Sequence, residues 1–158
     1  IAGAEIGYAF PVSDTMLIDI GANYVAGETK VKTSNTDTAA TADVTFEVGD
    51  LVTAYIAPTY VFSDTASIYL KIGYMEASTK TTGDVTNPPD LDGTLIGIGS
   101  RSLLGNGMFM RSEAGLIDFD TITVKGKGAA SSEAISTKST VSADPMIAYG
   151  SVTIGYKF

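Results

Sequence analysis

The sequence has no cysteine, no histidine and no tryptophan among its 158 residues. Without cysteine there is neither a disulfide framework nor a thiolate metal site, and the redox environment stays open. Without histidine the commonest general base and metal ligand is missing, and with it any Ser-His or Cys-His catalytic pair. Positive charge is scarce: 10 Lys and Arg stand against 18 Asp and Glu, a net charge of −8. That is the wrong sign for a nucleic-acid footprint, which needs clustered cations. No run of about 18 or more apolar residues is present, so the sequence holds no transmembrane helix candidate.

What is present points to strands. The composition is 44% hydrophobic and 18% charged, enough apolar matter for one folded domain over 1–158 rather than a disordered chain. Apolar residues recur at every second position between clusters of turn-forming residues, which is the period of a β-strand. The spacing predicts an all-β, antiparallel, up-and-down chain with seven visible strands at 1–10, 16–33, 42–62, 67–80, 92–104, 108–125 and 142–158. The connections alternate in kind. Pro11 to Thr15, Ser63 to Ala66 and Gly105 to Gly107 are tight, while 34–41, 81–91 and 126–141 are longer and polar. Short turns therefore lie at one end and long loops at the other. The segment from Phe10 to Thr15 and that from Tyr60 to Thr65 form a weak repeat, each closing on Ser-Asp-Thr, and Asn106-Gly107 is a strong two-residue hairpin signal in the third equivalent place.

The even positions of these strands form an uncharged apolar face: Met16, Ile18, Ile20, Ala22 and Tyr24; Val52 to Phe62; Ile68 to Tyr74; Met146 to Phe158. The odd face carries Glu5, Asp19, Lys71, Arg101, Arg111, Glu113 and Lys157 among many glycines. Alternation alone allows two arrangements, an apolar face on a soluble core or an apolar face on lipid with the charges inside a barrel. Three features favour lipid. The uncharged band matches the roughly 9–11 residues a tilted strand needs to cross a bilayer. Aromatics gather at the turn end (Phe10, Tyr60, Phe62, Tyr156, Phe158), with Tyr24 and Tyr74 near the other end, as in interfacial girdles. Glycines interleaved with both signs of charge suit a narrow interior better than a solvated sheet face, where glycine only weakens a strand.

Gly7-Tyr-Ala-Phe10 before a turn, the run from Asn106 to Glu113 leading to Asp118-Phe119, and the terminal Gly155-Tyr-Lys-Phe158 resemble the small eight-stranded outer-membrane barrels, of the type of the outer membrane protein A transmembrane domain and its porin-family relatives. The resemblance covers nearly the whole chain. It implies a transmembrane β-barrel in the bacterial outer membrane, with lipid and lipopolysaccharide around it. It also implies that Tyr156 and Phe158 form the terminal signal read by the barrel-assembly machinery. One departure concerns strand number. Bacterial barrels have an even count, and the first visible strand runs toward a short turn, so an eighth, N-terminal strand is expected upstream of Ile1.

The expected interior is an ion-pair network of Glu5, Asp19, Lys71, Arg101, Arg111, Glu113 and Lys157 that fills the lumen and pairs its charges. No catalytic, cofactor or metal site is expected: Ser151 and Asp19 have no histidine to activate them, Asp90-Leu-Asp92-Gly93 lacks the spacing of a calcium loop, and Gly126-Lys-Gly-Ala lacks that of a phosphate loop. The acidic loops and strand ends would serve divalent cations or simple solubility, and no hot-spot cluster names a loop partner. The function read from the residues is a non-enzymatic structural barrel displaying polar loops, with a low-conductance pore and a soluble ligand-binding barrel as alternatives.

Overall fold

The computed structural model describes residues 2–33, 44–82, 90–125 and 140–158, and side chains are discussed only outside 29–46, 81–89 and 124–143. Among the described residues nine strands form: β1 (Ala2–Ser13), β2 (Met16–Thr33), β3 (Val44–Ser63), β4 (Ala66–Thr82), β5 (Leu91–Gly105), β6 (Met108–Phe119), β7 (Ile122–Lys125), β8 (Thr140–Ala143) and β9 (Met146–Tyr156). Seven of them make one antiparallel sheet in the order β1-β2-β3-β4-β5-β6-β9, and β7 and β8 pair as a separate ribbon. Every neighbour in the large sheet is thus the next crossing strand in sequence, a meander that short connections favour.

Two expected strands are interrupted. The predicted 108–125 breaks at Asp120 and Thr121, and the predicted 142–158 breaks at Asp144 and Pro145. Pro145 has no N–H for the ladder. At this corner Phe119 N–H donates to the Pro145 carbonyl at 3.0 Å and Asp120 N–H to the Asp92 carbonyl at 2.8 Å. The chain then leaves the large sheet as the β7–β8 ribbon. A milder break sits inside β3. The β3–β4 ladder skips Ala57 and Pro58, between the pairs Ile56↔Ile72 and Thr59↔Tyr69.

The three tight turns share one construction. A register shift precedes each, at Pro11/Ser13, Val61/Ser63 and Leu103/Gly105. In the two Ser-Asp-Thr turns the threonine N–H donates to the serine hydroxyl at 3.4 Å, Thr15 to Ser13 and Thr65 to Ser63. The third turn is built on positive φ at Asn106 (52°) and Gly107 (78°), which is what a type I′ hairpin demands. The last residue of each turn then accepts a backbone bond from further along the chain: Thr15 from Val61, Thr65 from Leu103, Gly107 from Lys157.

Burial alternates without exception along much of the sheet. From Val52 to Tyr60 every even residue is exposed and every odd one buried, and Leu91, Gly93, Leu95 and Gly97 repeat the pattern on β5. The sheet is curled around its odd face. Glu5 stands in one ladder row with Asn23, Thr53, Met75, Gly93 and Phe119. Its carboxylate nevertheless pairs with Arg111, eight residues nearer the turn end of β6 than Phe119. Contact between the first and sixth strands requires a tight curl, and the offset along β6 requires strands inclined to its axis, as barrel geometry couples tilt and stagger. Among the described residues no backbone pairing joins β1 to β9. The expected closed eight-stranded ring is therefore an open, seven-stranded curled sheet in this structure.

On the inner face Thr53 is fully buried and its hydroxyl has no protein hydrogen-bond partner. Thr53→Val keeps the shape and removes an unpaired polar atom, which costs about 1–3 kcal/mol when buried. The urea midpoint of this variant, followed by circular dichroism, should equal or exceed that of the parent.

Candidate functional site

The inner face is stacked in three layers along the curl. Nearest the turns, Arg101 of β5 pairs with Asp19 of β2, and the Thr59 hydroxyl donates to the same carboxylate at 2.9 Å. Arg101 also lies over the Phe109 ring, 5.7 Å from its centre.

The middle layer joins four charges from three strands. Lys71 Nζ is 3.1 Å from Glu113 and 3.5 Å from Glu5, and Arg111 pairs with Glu5 and, at 3.4 Å, with Glu113. Two carboxylates thus meet two cations. Three tyrosines complete the cluster: Tyr55 donates to Glu5 at 2.8 Å, while Tyr69 and Tyr149 donate to Glu113 at 2.8 and 2.7 Å. The rings act on the cations as well, with Lys71 4.2 Å from the centre of Tyr55 and Arg111 4.6 Å from that of Tyr69. Such contacts range from about 0.5–1 kcal/mol at exposed sites to about 2 kcal/mol when desolvated. Glycine makes the space. A β-carbon on Gly21 would lie 2.6 Å from the Tyr55 hydroxyl, and one on Gly99 would run into the Tyr69 ring.

Toward the loops the inner face turns apolar. Met75, Ala77, Leu91, Leu95, Ile117, Phe119 and Ile122 form a buried cluster against which Val48, Leu51 and Tyr149 pack. The outer face changes in the opposite sense at the same height. The residues between and beside these, Glu76, Asp92, Asp118 and Asp120, are acidic, and Glu76 stands directly opposite Asp92. Below that line the outer face is uncharged and apolar: Ile68, Leu70, Ile72, Tyr74, Ile96 and Ile98 are 43–65% exposed. The polarity of the two faces therefore inverts across one line near Tyr74, Thr94 and Leu116.

Of the seven residues expected inside, six are brought together, as one tetrad (Glu5, Lys71, Arg111, Glu113) and one pair (Asp19, Arg101). Lys157 is not among them. It lies one residue past the end of β9, exposed, and its backbone N–H closes onto Gly107. Tyr156 and Phe158 are exposed at 62% and 100% on the turn side. Sequence reasoning missed Tyr55, Tyr69, Tyr149 and Thr59 by name. Their odd parity, against the even parity of Tyr24, Tyr60, Tyr74 and Tyr156, was the available signal. The apolar loop-side layer was missed because its residues on β4, β5 and β6 share parity with the charges below.

Among the described residues no three carboxylates converge in a way that would hold a metal ion. The arrangement pairs four charges across the inside of the curl and gives their carboxylates tyrosine hydroxyls as donors. No protein-family model, no curated protein and no solved structure matches this chain.

Removing one member of a buried ionic cluster leaves its partner uncompensated at about 3–5 kcal/mol. Arg111→Met should lower unfolding stability by that amount. Tyr149→Phe, which deletes one bond to a carboxylate, should lower it by about 1.5–3 kcal/mol. Equal and negligible losses in urea titrations would mean that the cluster is solvated.

Proposed function

We propose that this chain is the membrane-embedded wall of a bacterial outer-membrane β-barrel, a structural anchor with a blocked lumen that carries polar loops on the far side. The observation that carries this reading is the inversion of polarity. A soluble barrel obeys one rule over its whole length, apolar inside and polar outside. This sheet obeys that rule only at its loop end, with Met75, Leu95 and Ile117 inside and Glu76, Asp92 and Asp118 outside. Lower down the rule is reversed, which is the solution for a sheet whose outer face meets hydrocarbon. Tyr24 and Tyr74 stand near the line of inversion, and Tyr8, Phe10, Tyr60, Phe62 and Tyr156 ring the turn end, all 46–65% exposed. The amphipathic side chains Tyr24 and Tyr74 suit a water–lipid boundary.

The lipid around the band and lipopolysaccharide beside the acidic rim are the partners this reading implies, with the assembly machinery reading the outward Tyr156 and Phe158. A soluble ligand-binding barrel would leave Ile6, Ile98, Val152 and Ile154 in water at 65–71% exposure. The alternative of a conducting pore meets the ionic tetrad and its tyrosines across the interior.

Three outcomes follow. The protein should need detergent for extraction and migrate differently on a gel before and after boiling. Ile72→Arg, at the middle of the outer band, should cost about 2–4 kcal/mol in vesicles; a soluble barrel would register less than about 0.5 kcal/mol for the same surface change. In planar bilayers the parent should show no unitary current, and a steady conductance would favour the pore.

A further inference from the structure

Beside the ionic tetrad, two buried oxygens have no partner within the protein. Glu5, Asn23 and Thr53 stand side by side on β1, β2 and β3 in one ladder row, so all three share the inner face, about 4.8 Å apart from strand to strand. Asn23 Oδ1 and the Thr53 hydroxyl are buried and make no hydrogen bond to the protein, and Thr53 is buried completely. Glu5 is the most open member of the tetrad, its side chain 18% exposed against 2–7% for the others. This row therefore holds more acceptor oxygens than donors.

Glu5 and Asn23 line a cavity of about 810 Å³ whose wall reaches both edge strands, β1 and β9. On the loop side of the row the wall is apolar and still open. Val48 and Leu51 of β3 are only partly buried where they pack against the apolar layer, and Ile147 of β9 is 38% exposed. A volume of roughly 300–1,000 Å³, mostly apolar with a few placed polar groups, is the usual form of a small-molecule site.

We propose that this cavity binds an uncharged single-chain amphiphile, a fatty alcohol or a monoacylglycerol, whose hydroxyl donates to Asn23 Oδ1 and whose chain lies along Val48, Leu51 and Ile147. The absence of charge follows from the floor. Its two carboxylates meet two cations, and among the described residues no other charged side chain lines the cavity, so a charged head would be desolvated with no excess of opposite charge to receive it. The hydroxyl follows from the unpaired oxygens, because an incoming O–H satisfies a buried acceptor that otherwise carries its full desolvation cost. The chain follows from the wall. A fully polar solute would satisfy the oxygens and leave the apolar wall in water; an alkane would do the reverse. Since the site lies on the inner face, it stands whichever medium meets the outer one.

The test uses the full-length protein, irradiated with a dodecanol that carries a diazirine in its chain, and maps the labelled residues by peptide mass spectrometry. Saturable labelling is expected at Val48, Leu51 or Ile147. Unlabelled dodecanol and monolauroylglycerol should displace it at concentrations about tenfold below those of dodecyltrimethylammonium, whose head has no donor, since one hydrogen bond to an otherwise unpaired buried acceptor is worth about a decade in affinity. Asn23→Leu should lose about the same factor, and Asn23→Ser, which keeps an acceptor, should stay near the parent; both are compared once their circular dichroism matches it. Asn23→Ala reads the same loss should the leucine variant fail to fold. Labelling confined to outward residues such as Ile72 and Ile98 would overturn the proposal and mean that a chain segment or a second copy covers the wall. Equal displacement by the trimethylammonium, or parent affinity in Asn23→Leu, would also overturn it, as an unselective apolar surface. Boiling-dependent migration is read separately, so a protein labelled inside that needs no detergent would sink the membrane reading and leave the site standing.

Discussion

Glu5, Lys71, Arg111 and Glu113 come from three strands that are not all neighbours, with Lys71 and Arg111 buried and the two carboxylates half-buried against them, so that a charge left without its partner there is costly. Their mutual pairing is the constraint on which the interior depends. It holds β1 against β6 across four intervening strands, and so sets the curl. It recruits Tyr55, Tyr69 and Tyr149 to satisfy the remaining carboxylate positions, and those rings in turn require glycine on the strands they cross, as at Gly21 and Gly99. Charge, aromatic ring and glycine thus form one packing problem solved together. Raw stability is not the gain, since buried ion pairs add little over a well-packed apolar core.

The second organising feature is the line where the two faces exchange character. Met75 and Glu76 are adjacent in sequence, as are Leu91 and Asp92, and Ile117 and Asp118; in each pair the apolar residue points in and the acid out. A few residues nearer the turns, Lys71 points in and Ile72 out. A strand cannot change its pleat, so only the residue types can change. On the proposed reading, the surrounding medium changes from water to hydrocarbon at this height, and the chain follows it. The direct opposition of Glu76 and Asp92, unfavourable within a sheet, falls on the side where water and salt screen it.

Much of this was legible in the residues. The period of two, the alternating short and long connections and the Ser-Asp-Thr repeat placed seven crossings and six of the seven interior charges, because parity assigns a side chain to a face without knowledge of its neighbours. Lys157 failed because parity says nothing about where a strand stops, and the structure ends β9 at Tyr156. The breaks at Asp120–Thr121 and Asp144–Pro145 escaped because they depend on pairing between segments twenty-odd residues apart, with Pro145 supplying a carbonyl where it can supply no N–H.

By itself, then, the sequence determined the strand class, the turn chemistry and which face each residue occupies, since these are local consequences of pleat, propensity and glycine or asparagine geometry. Only the tertiary structure decided that the charges divide into a tetrad and a pair, that tyrosines donate to the tetrad's carboxylates, and that an apolar layer lies above them. Those outcomes depend on curl and strand inclination, which shift the level of one strand against another by several residues, and no local rule contains that offset.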